Sequence, residues 1–340
     1  MKKVRYVVTD FMLGIGGGIY TFIQDHVRLM KTYNCDVKVI VLGDKYCPHA
    51  KYWDFGCEHV LTNRAFDDYK ANAMAMRSLD EDTIIYTHSF EALRACIEAN
   101  RKCYNQHHFG DLIVPESYKK YMDIHMMYNL KQWKQMMSIE RLVTNIAQSD
   151  GIKYWGEYLM GGKHVTAFEP FELPKISQEE LDAAEETDVV IVSGAYKRKQ
   201  IPEMLRSLAK SGLKVHVYST GTTTPPPGLD CKVHVCQPRE KVIAAMMKSK
   251  CLLHMSHIEI MPYAILEASQ YIPCIVQHDA PYTRDFIFPV EKADINKGNL
   301  TNIVKDVIKK PHEKLNIEMY RAQSREQWEA LWGLKHETEL

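Results

Sequence analysis

The strongest constraint on this chain is a pattern that occurs twice. Short runs of apolar and β-branched residues are each followed by a loop and then by apolar positions at helical spacing. The first cycle opens with "VRYVVTDF" (4–11), a glycine-rich turn, and the positions Ile19, Phe22, Ile23, Val27 and Met30, which share one helix face. "DVKVIVLG" (36–43), "TIIYTHS" (83–89) and "RKCYNQHHFG" (101–110) read as further strands. The second cycle runs "VVIVSG" (189–194), a helix "IPEMLRSLAKSG", "KVHVYST" (214–220), "CKVHVCQ", a helix "REKVIAAMMKSK", "CLLHMS", a helix holding Glu267, and "IPCIVQH". Strands that alternate with helices predict parallel sheets covered on both faces, which is an α/β class of fold.

Between the cycles, 115–160 is polar, aromatic and Met-rich, with a mostly helical pattern. The stretch 165–188 carries Pro170 and Pro174, and from Ser177 to Asp188 it has six acidic residues and no basic one, so it reads as a linker followed by an exposed acidic segment. A chain of 340 residues is long for one core. The expected division is two Rossmann-like domains, 1–168 and 169–317, with a last helix in "NIEMYRAQSREQWEALWGL" (316–334).

Several classes of function are disfavoured. Lys plus Arg and Asp plus Glu number 43 each, so there is no global charge imbalance of the kind that marks nucleic-acid or anionic-membrane binding. The start, "MKKVRYVVTDFML", is too charged for a signal peptide, and no window reaches the ~20 apolar residues of a membrane span. Nine cysteines include no C-x-x-C pair and no regular spacing, as expected of reduced thiols in a cytoplasmic protein.

Against that background a few residues stand out. Gly16, Gly17 and Gly18 end the Gly14–Gly18 turn at a strand's carboxyl end, where backbone N–H groups can approach a phosphate, although the spacing is not that of a dinucleotide fingerprint. "SGAYKRKQ" (193–200) also leaves a strand and gathers Lys197, Arg198 and Lys199; from Ser193 to Lys214 there are six basic residues and one acid. Cations at a strand end and helix start suit a diphosphate. His107 and His108 close a strand and are the best-placed histidines for a catalytic role, with His88 next. "DED" (80–82) precedes a strand, at the end away from ligands, and reads as a solvated turn rather than a metal site. Glu259 and Glu267, with seven residues between them, are carboxylates in an apolar context and need polar partners if buried.

The segment "REKVIAAMMKSKCLLHMSHIEIMPYAILEASQYIPCIV" (239–276) resembles the sugar-nucleotide half of retaining glycosyltransferases of the GT-B fold, of the family 4-like kind with an E-x7-E motif. The residues that carry the likeness are Ser256, Glu259, Met261, Pro262, Leu266, Glu267, Ala268, Pro273 and Ile275. Ile260 stands where that family usually has glycine, a departure that bears on how closely the backbone approaches the donor sugar. The resemblance implies two doubly wound domains facing across a cleft, with 318–340 crossing back to the first. It implies a nucleotide-diphosphate sugar as donor substrate, a UDP-sugar being favoured, and neither a cofactor nor a divalent metal. Glu259 would accept from hydroxyls of the donor sugar and Glu267 from the ribose, with Met261 and Pro262 beside them. Arg198 and Lys199 would neutralise the leaving diphosphate.

"YNQHHFGD" with "TNIAQSDGIKYWGEYL" (144–159) also resembles phage DNA glucosyltransferases of the same fold, more weakly. Residues 101–141 hold seven Lys/Arg against four Asp/Glu, interleaved with Tyr104, Phe109, Tyr118, Tyr121, Tyr128 and Trp133. Such a strip suits a nucleic-acid backbone and an extruded base as well as it suits an ordinary helical surface. The expected acceptor is therefore a hydroxymethylated cytosine in double-stranded DNA, with a soluble glycan, protein or small molecule as the alternative. A non-catalytic sugar-nucleotide-binding protein is the non-enzyme alternative. The sequence leaves the oligomeric state open.

Overall fold

In the computed structural model of this protein, the residues described are 1–9, 18–43, 53–62, 68–106, 130–194, 199–257, 259, 262–278 and 290–334. These fall into two compact units, one formed by 1–106, 130–172 and 318–334, the other by 173–317. Each is built on one parallel sheet covered by helices, the α/β architecture expected from the alternating pattern.

The first unit's strands are β1 (Lys3–Thr9), β2 (Asp36–Leu42), β3 (Glu58–Leu61), β4 (Ile84–Thr87), β5 (Cys103–Gln106), β6 (Val143–Ala147) and β7 (His164–Thr166), in the order β3-β2-β1-β4-β5-β6-β7. Central β1 is buried from Val4 to Thr9, as a parallel strand covered on both faces must be. Edge strand β3 is half exposed, and Glu58 there pairs with Lys38 at 2.7 Å, a charge that discourages further strand addition.

The region 115–160 departs from its expected helical character. Its described part has helices Leu130–Met137 and Asp150–Met160, but β6 lies between them. That strand, "VTNIA", is five residues long, and Asn145 weakens its apolar signal. Tertiary partners make up for this: Asn145 Nδ2 donates to Met137 O and Lys163 O, and Asn105 Nδ2 donates to Asn145 Oδ1 at 3.2 Å. Thr87 Oγ1 extends this buried ladder to Asn105 Oδ1 at 3.1 Å. Gly162, with φ +83°, turns the chain into β7; a Cβ there would stand 2.1 Å from Met137 O, so no other residue fits.

The second unit's strands are β8 (Thr187–Ser193), β9 (Lys214–Ser219), β10 (Asp230–Val235), β11 (Ser249–His254), β12 (Cys274–Gln277) and β13 (Val290–Ala293), in the order β10-β9-β8-β11-β12-β13. Val189 and Ile191 face a core containing Leu205, Leu253 and Val304, while Val190 between them faces Ile243, Leu252 and Ile265. The acidic segment is exposed and also regular. Helix Gln178–Ala183 begins with a capping box in which Ser177 and Glu180 satisfy each other's backbone N–H groups. Glu185 beyond it pairs with Lys232 and Lys214, which hold its carboxyl down to about 2.

The C-terminal helix, Ile317–Trp332, closes the first unit. It supplies hydrogen bonds to the extended segment after β7, whose backbone lacks a full strand ladder. Gln327 Oε1 accepts from Phe168 N at 2.7 Å, Ser324 Oγ and Trp328 Nε1 each donate to Phe168 O at 2.8 Å, and Tyr320 OH donates to Glu169 O at 3.0 Å. Trp328 and Trp332 then pack on the ring of His26, at 4.1 and 5.0 Å between centroids. Among the described residues no helix is long and apolar enough to cross a membrane.

His26 is fully buried among Tyr6, Phe22, Tyr86 and the two tryptophans, and among the described residues neither ring nitrogen has a hydrogen-bond partner. Burial holds its imidazole well below the usual range, so it is neutral when folded. The unfolded chain takes up a proton there below about pH 6.5, so this contribution is complete above that pH and is lost as pH falls. We expect the denaturant midpoint of the first unit, followed by tryptophan fluorescence, to drop between pH 7.5 and 5.5. The slope from this one proton approaches about 1.4 kcal/mol per pH unit, and His26→Leu should flatten it.

Candidate functional site

Strands that all run one way place their carboxyl ends along one edge of the sheet, where the following loops meet. In the second unit β8 and β11 are neighbours at that edge, and the loops leaving them carry Lys199 and Glu259. Lys199 immediately precedes Gln200, whose φ of +58° puts it in the left-handed region as the N-cap of helix Ile201–Ser207. Pro202 sits in that helix's first turn, where a missing N–H is harmless.

The Lys199 ammonium contacts Glu259 Oε1. His254, the last residue of β11, reaches the same oxygen from Nε2 at 3.0 Å. An ionised carboxylate only accepts hydrogen bonds, so this contact fixes the histidine tautomer with a proton on Nε2. The three side chains are 12%, 10% and 3% exposed for Lys199, Glu259 and His254. A carboxylate so withdrawn from water is tolerable only with donors or cations against it.

The second carboxylate has its own base. Glu267 lies in the last turn of helix Tyr263–Ala268, next to buried Ile265, Leu266 and Ala268. Its Oε1 accepts from Arg239 Nε at 2.6 Å, and the two side chains are 7% and 12% exposed. Arg239 is the first residue of helix Arg239–Met247, and its guanidinium stands 6.0 Å from the centre of the Tyr263 ring. Each motif glutamate is thus held by a base from a different element. Pro262 forms the N-cap of the Tyr263–Ala268 helix without a side-chain cap.

Of the residues singled out in the sequence, Lys199 and Glu259 are brought together, while Glu267 is engaged by Arg239. Gly18 is the first residue of helix Gly18–Thr32, and a Cβ there would meet nothing within 4 Å, so packing among the described residues does not demand glycine. Gly16, Gly17, His107, His108, Arg198, Ile260 and Met261 lie outside the described residues. His88 is a core residue, 4.9 Å from the rings of both Phe22 and Tyr86. Asp80 of "DED" pairs with Lys3 on the surface. Among the described residues no three His, Cys, Asp or Glu side chains are grouped to hold a metal. Arg239 and His254 do not stand out in the sequence. The available signal was an ionisable residue closing the apolar strand "CLLH", five residues before a buried glutamate.

No protein-family model matches the sequence, and no curated protein does. Solved structures do match. Sucrose-phosphate synthase from Thermosynechococcus elongatus superposes with a TM-score of 0.70 at 11% identity, over 98% of this chain and 95% of that one. Anabaena HepE, solved with UDP and glucose, gives 0.66 at 15% identity over 98% and 95%. An alpha-glucosyltransferase solved with UDP and a 13-mer DNA gives 0.54 at 9% identity over 99% and 96%.

The fold is GT-B. At these identities the likeness is one of architecture alone, and chemistry has to be argued from the residues. For the GT-B sheet of the second unit, the Arg239–Glu267 pair gives a direct structural test. Glu267→Ala removes one partner of a mostly buried guanidinium and should destabilise this unit by up to about 3–5 kcal/mol. Glu267→Gln keeps an acceptor for Arg239 Nε and should cost clearly less in chemical denaturation, which makes it the better variant for binding studies.

Proposed function

We propose that this protein is a retaining glycosyltransferase that moves a sugar from a nucleotide-diphosphate sugar, UDP-sugar favoured, to an acceptor hydroxyl. The observation that carries the reading is the pair of withdrawn carboxylates in the chain that leaves β11: Glu259, held by Lys199 and His254, and Glu267, held by Arg239. Vicinal hydroxyls supply paired donors, and ionised carboxylates accept them. Glu259 takes hydroxyls of the donor sugar and Glu267 those of the ribose, with Met261 and Pro262 beside them. Lys199 and Arg198 offset the charge that grows on the diphosphate as the anomeric C–O bond breaks. Gly16, Gly17 and Gly18 let the backbone approach the donor, and His107 or His108 acts at the reacting centre. The HepE complex with UDP and glucose and the alpha-glucosyltransferase complex with UDP support the choice of nucleotide.

Lys199 and Arg198 take the part a divalent ion plays elsewhere, so transfer needs no metal. Purified protein incubated with common sugar nucleotides should release nucleoside diphosphate, and excess EDTA should leave the rate unchanged. Complete loss in EDTA with recovery in manganese would reverse the assignment of these residues. Absence of hydrolysis with every donor, alongside tight donor binding, would favour a non-catalytic sugar-nucleotide-binding protein.

For the acceptor we favour hydroxymethylated cytosine in duplex DNA. Support comes from the basic and aromatic residues of 101–141 and from the likeness to the alpha-glucosyltransferase solved with DNA. A soluble sugar or other small acceptor is the second reading, favoured by the likeness to sucrose-phosphate synthase. With no net charge on the whole chain, phosphate contacts must come from a local strip. Affinity for hydroxymethylated duplex should fall with salt, each neutralised phosphate adding about −0.9 to the slope of log affinity against log salt. Reversing Lys119, Lys120, Lys131 and Lys134 to Glu in pairs should reduce that slope and leave donor hydrolysis intact. Salt-insensitive binding with no transfer to this DNA would select the small-acceptor reading.

A further inference from the structure

His254 lies outside the E-x7-E motif, yet its position ties it to Glu259. It is the terminal residue of β11, a central strand, and its backbone is fixed by register with Val276 of β12. Its side chain is 3% exposed, and its Nε2 reaches Glu259 Oε1 at 3.0 Å. Glu259 itself lies beyond the end of that strand, outside any helix or strand. Lys199 meets the same oxygen at the end of a flexible four-carbon stem, which supplies charge but little direction. The imidazole is planar, buried and mounted on the sheet, so it is a partner able to orient the carboxylate.

We propose that His254 is the positioning residue for donor-sugar recognition. Its Nε2–H holds one oxygen of Glu259, so that the remaining acceptor sites of the carboxylate are aimed at the sugar hydroxyls. An ionised carboxylate has about four lone-pair sites, and His254 takes one of those on Oε1. His254 therefore governs the share of donor affinity that depends on the sugar, and leaves the share that depends on the nucleoside diphosphate alone. The proposal rests on the assignment of Glu259 to the donor sugar.

The test measures, for the full chain, the affinity of the sugar nucleotide selected by the hydrolysis assay (UDP-glucose first) and that of its nucleoside diphosphate. His254→Leu should weaken the sugar nucleotide roughly tenfold, the scale of one lost charge-assisted hydrogen bond, with the nucleoside diphosphate unchanged. His254→Gln, whose amide N–H reaches about as far as Nε2, should restore the sugar nucleotide to within a few-fold of the unmodified protein. His254→Asn, one methylene shorter, should not, and this pair of amides decides the matter if the leucine variant does not fold. Equal weakening of both ligands in His254→Leu, or no change in either, overturns the proposal, as does failure of His254→Gln to rescue. Glu259→Gln separates the two levels. If it weakens the sugar nucleotide alone while His254→Leu does not, only the positioning role is wrong. If it affects neither ligand, the assignment of Glu259 to the sugar is wrong, and the positioning role falls with it.

Discussion

Parallel strand pairing is the constraint on which the rest of this structure depends. Two neighbouring parallel strands cannot be joined by a tight turn, so each connection must cross the sheet, and every strand's carboxyl end falls on the same edge. Residues far apart in the chain are thereby delivered to one place. Lys199 follows β8 and Glu259 follows β11, sixty positions later, yet they are in contact because these strands are neighbours. Crossing helices also cover both faces of the sheet, which is why Val189, Val190 and Ile191 are all buried and the strand reads as an unbroken apolar run.

Covering both faces also creates polar groups that must be satisfied away from water. The first unit deals with this through side chains. Thr87, Asn105 and Asn145 form a ladder across three strands, and Tyr86 OH donates to Gln106 Oε1, whose amide in turn donates to Glu169 Oε1 at 2.7 Å. Four residues of the C-terminal helix (Tyr320, Ser324, Gln327 and Trp328) serve the backbone of Phe168 and Glu169. Asp25, wholly buried, accepts from Glu172 N at 3.1 Å and from Arg28 at 2.8 Å. The second unit meets the same requirement with charge: Arg239 on Glu267, and Lys199 with His254 on Glu259. Both arrangements are costly to break from one side, because a group held out of water loses a partner that solvent does not replace.

Which elements were legible follows from where their stability arises. Strands β1, β2, β8, β9, β11 and β12 carry their own β-branched or apolar runs and could be read directly from the sequence. Strand β6 could not, since "VTNIA" depends on Asn145 finding partners on Met137, Lys163 and Asn105. Three-residue β7 and edge strands β3 and β13 hold too few apolar residues to stand out from loop sequence. At the candidate site, spacing and residue type marked Glu259, Glu267 and Lys199, because a carboxylate in an apolar run is conspicuous in one dimension. Arg239 and His254 were not marked, because a base near a helix start or a strand end is commonplace until its partner is known.

The sequence by itself determined the α/β class, the two strand–helix cycles and the presence of carboxylates that would require partners, since each of these is a local property of composition and period. Only the tertiary structure decided which partners those are. Ion pairing and buried hydrogen bonds act over a few ångströms in space, and strand order rather than chain position sets that distance. Glu259 therefore rests on a histidine five residues away and a lysine sixty away, and Glu267 on an arginine twenty-eight away.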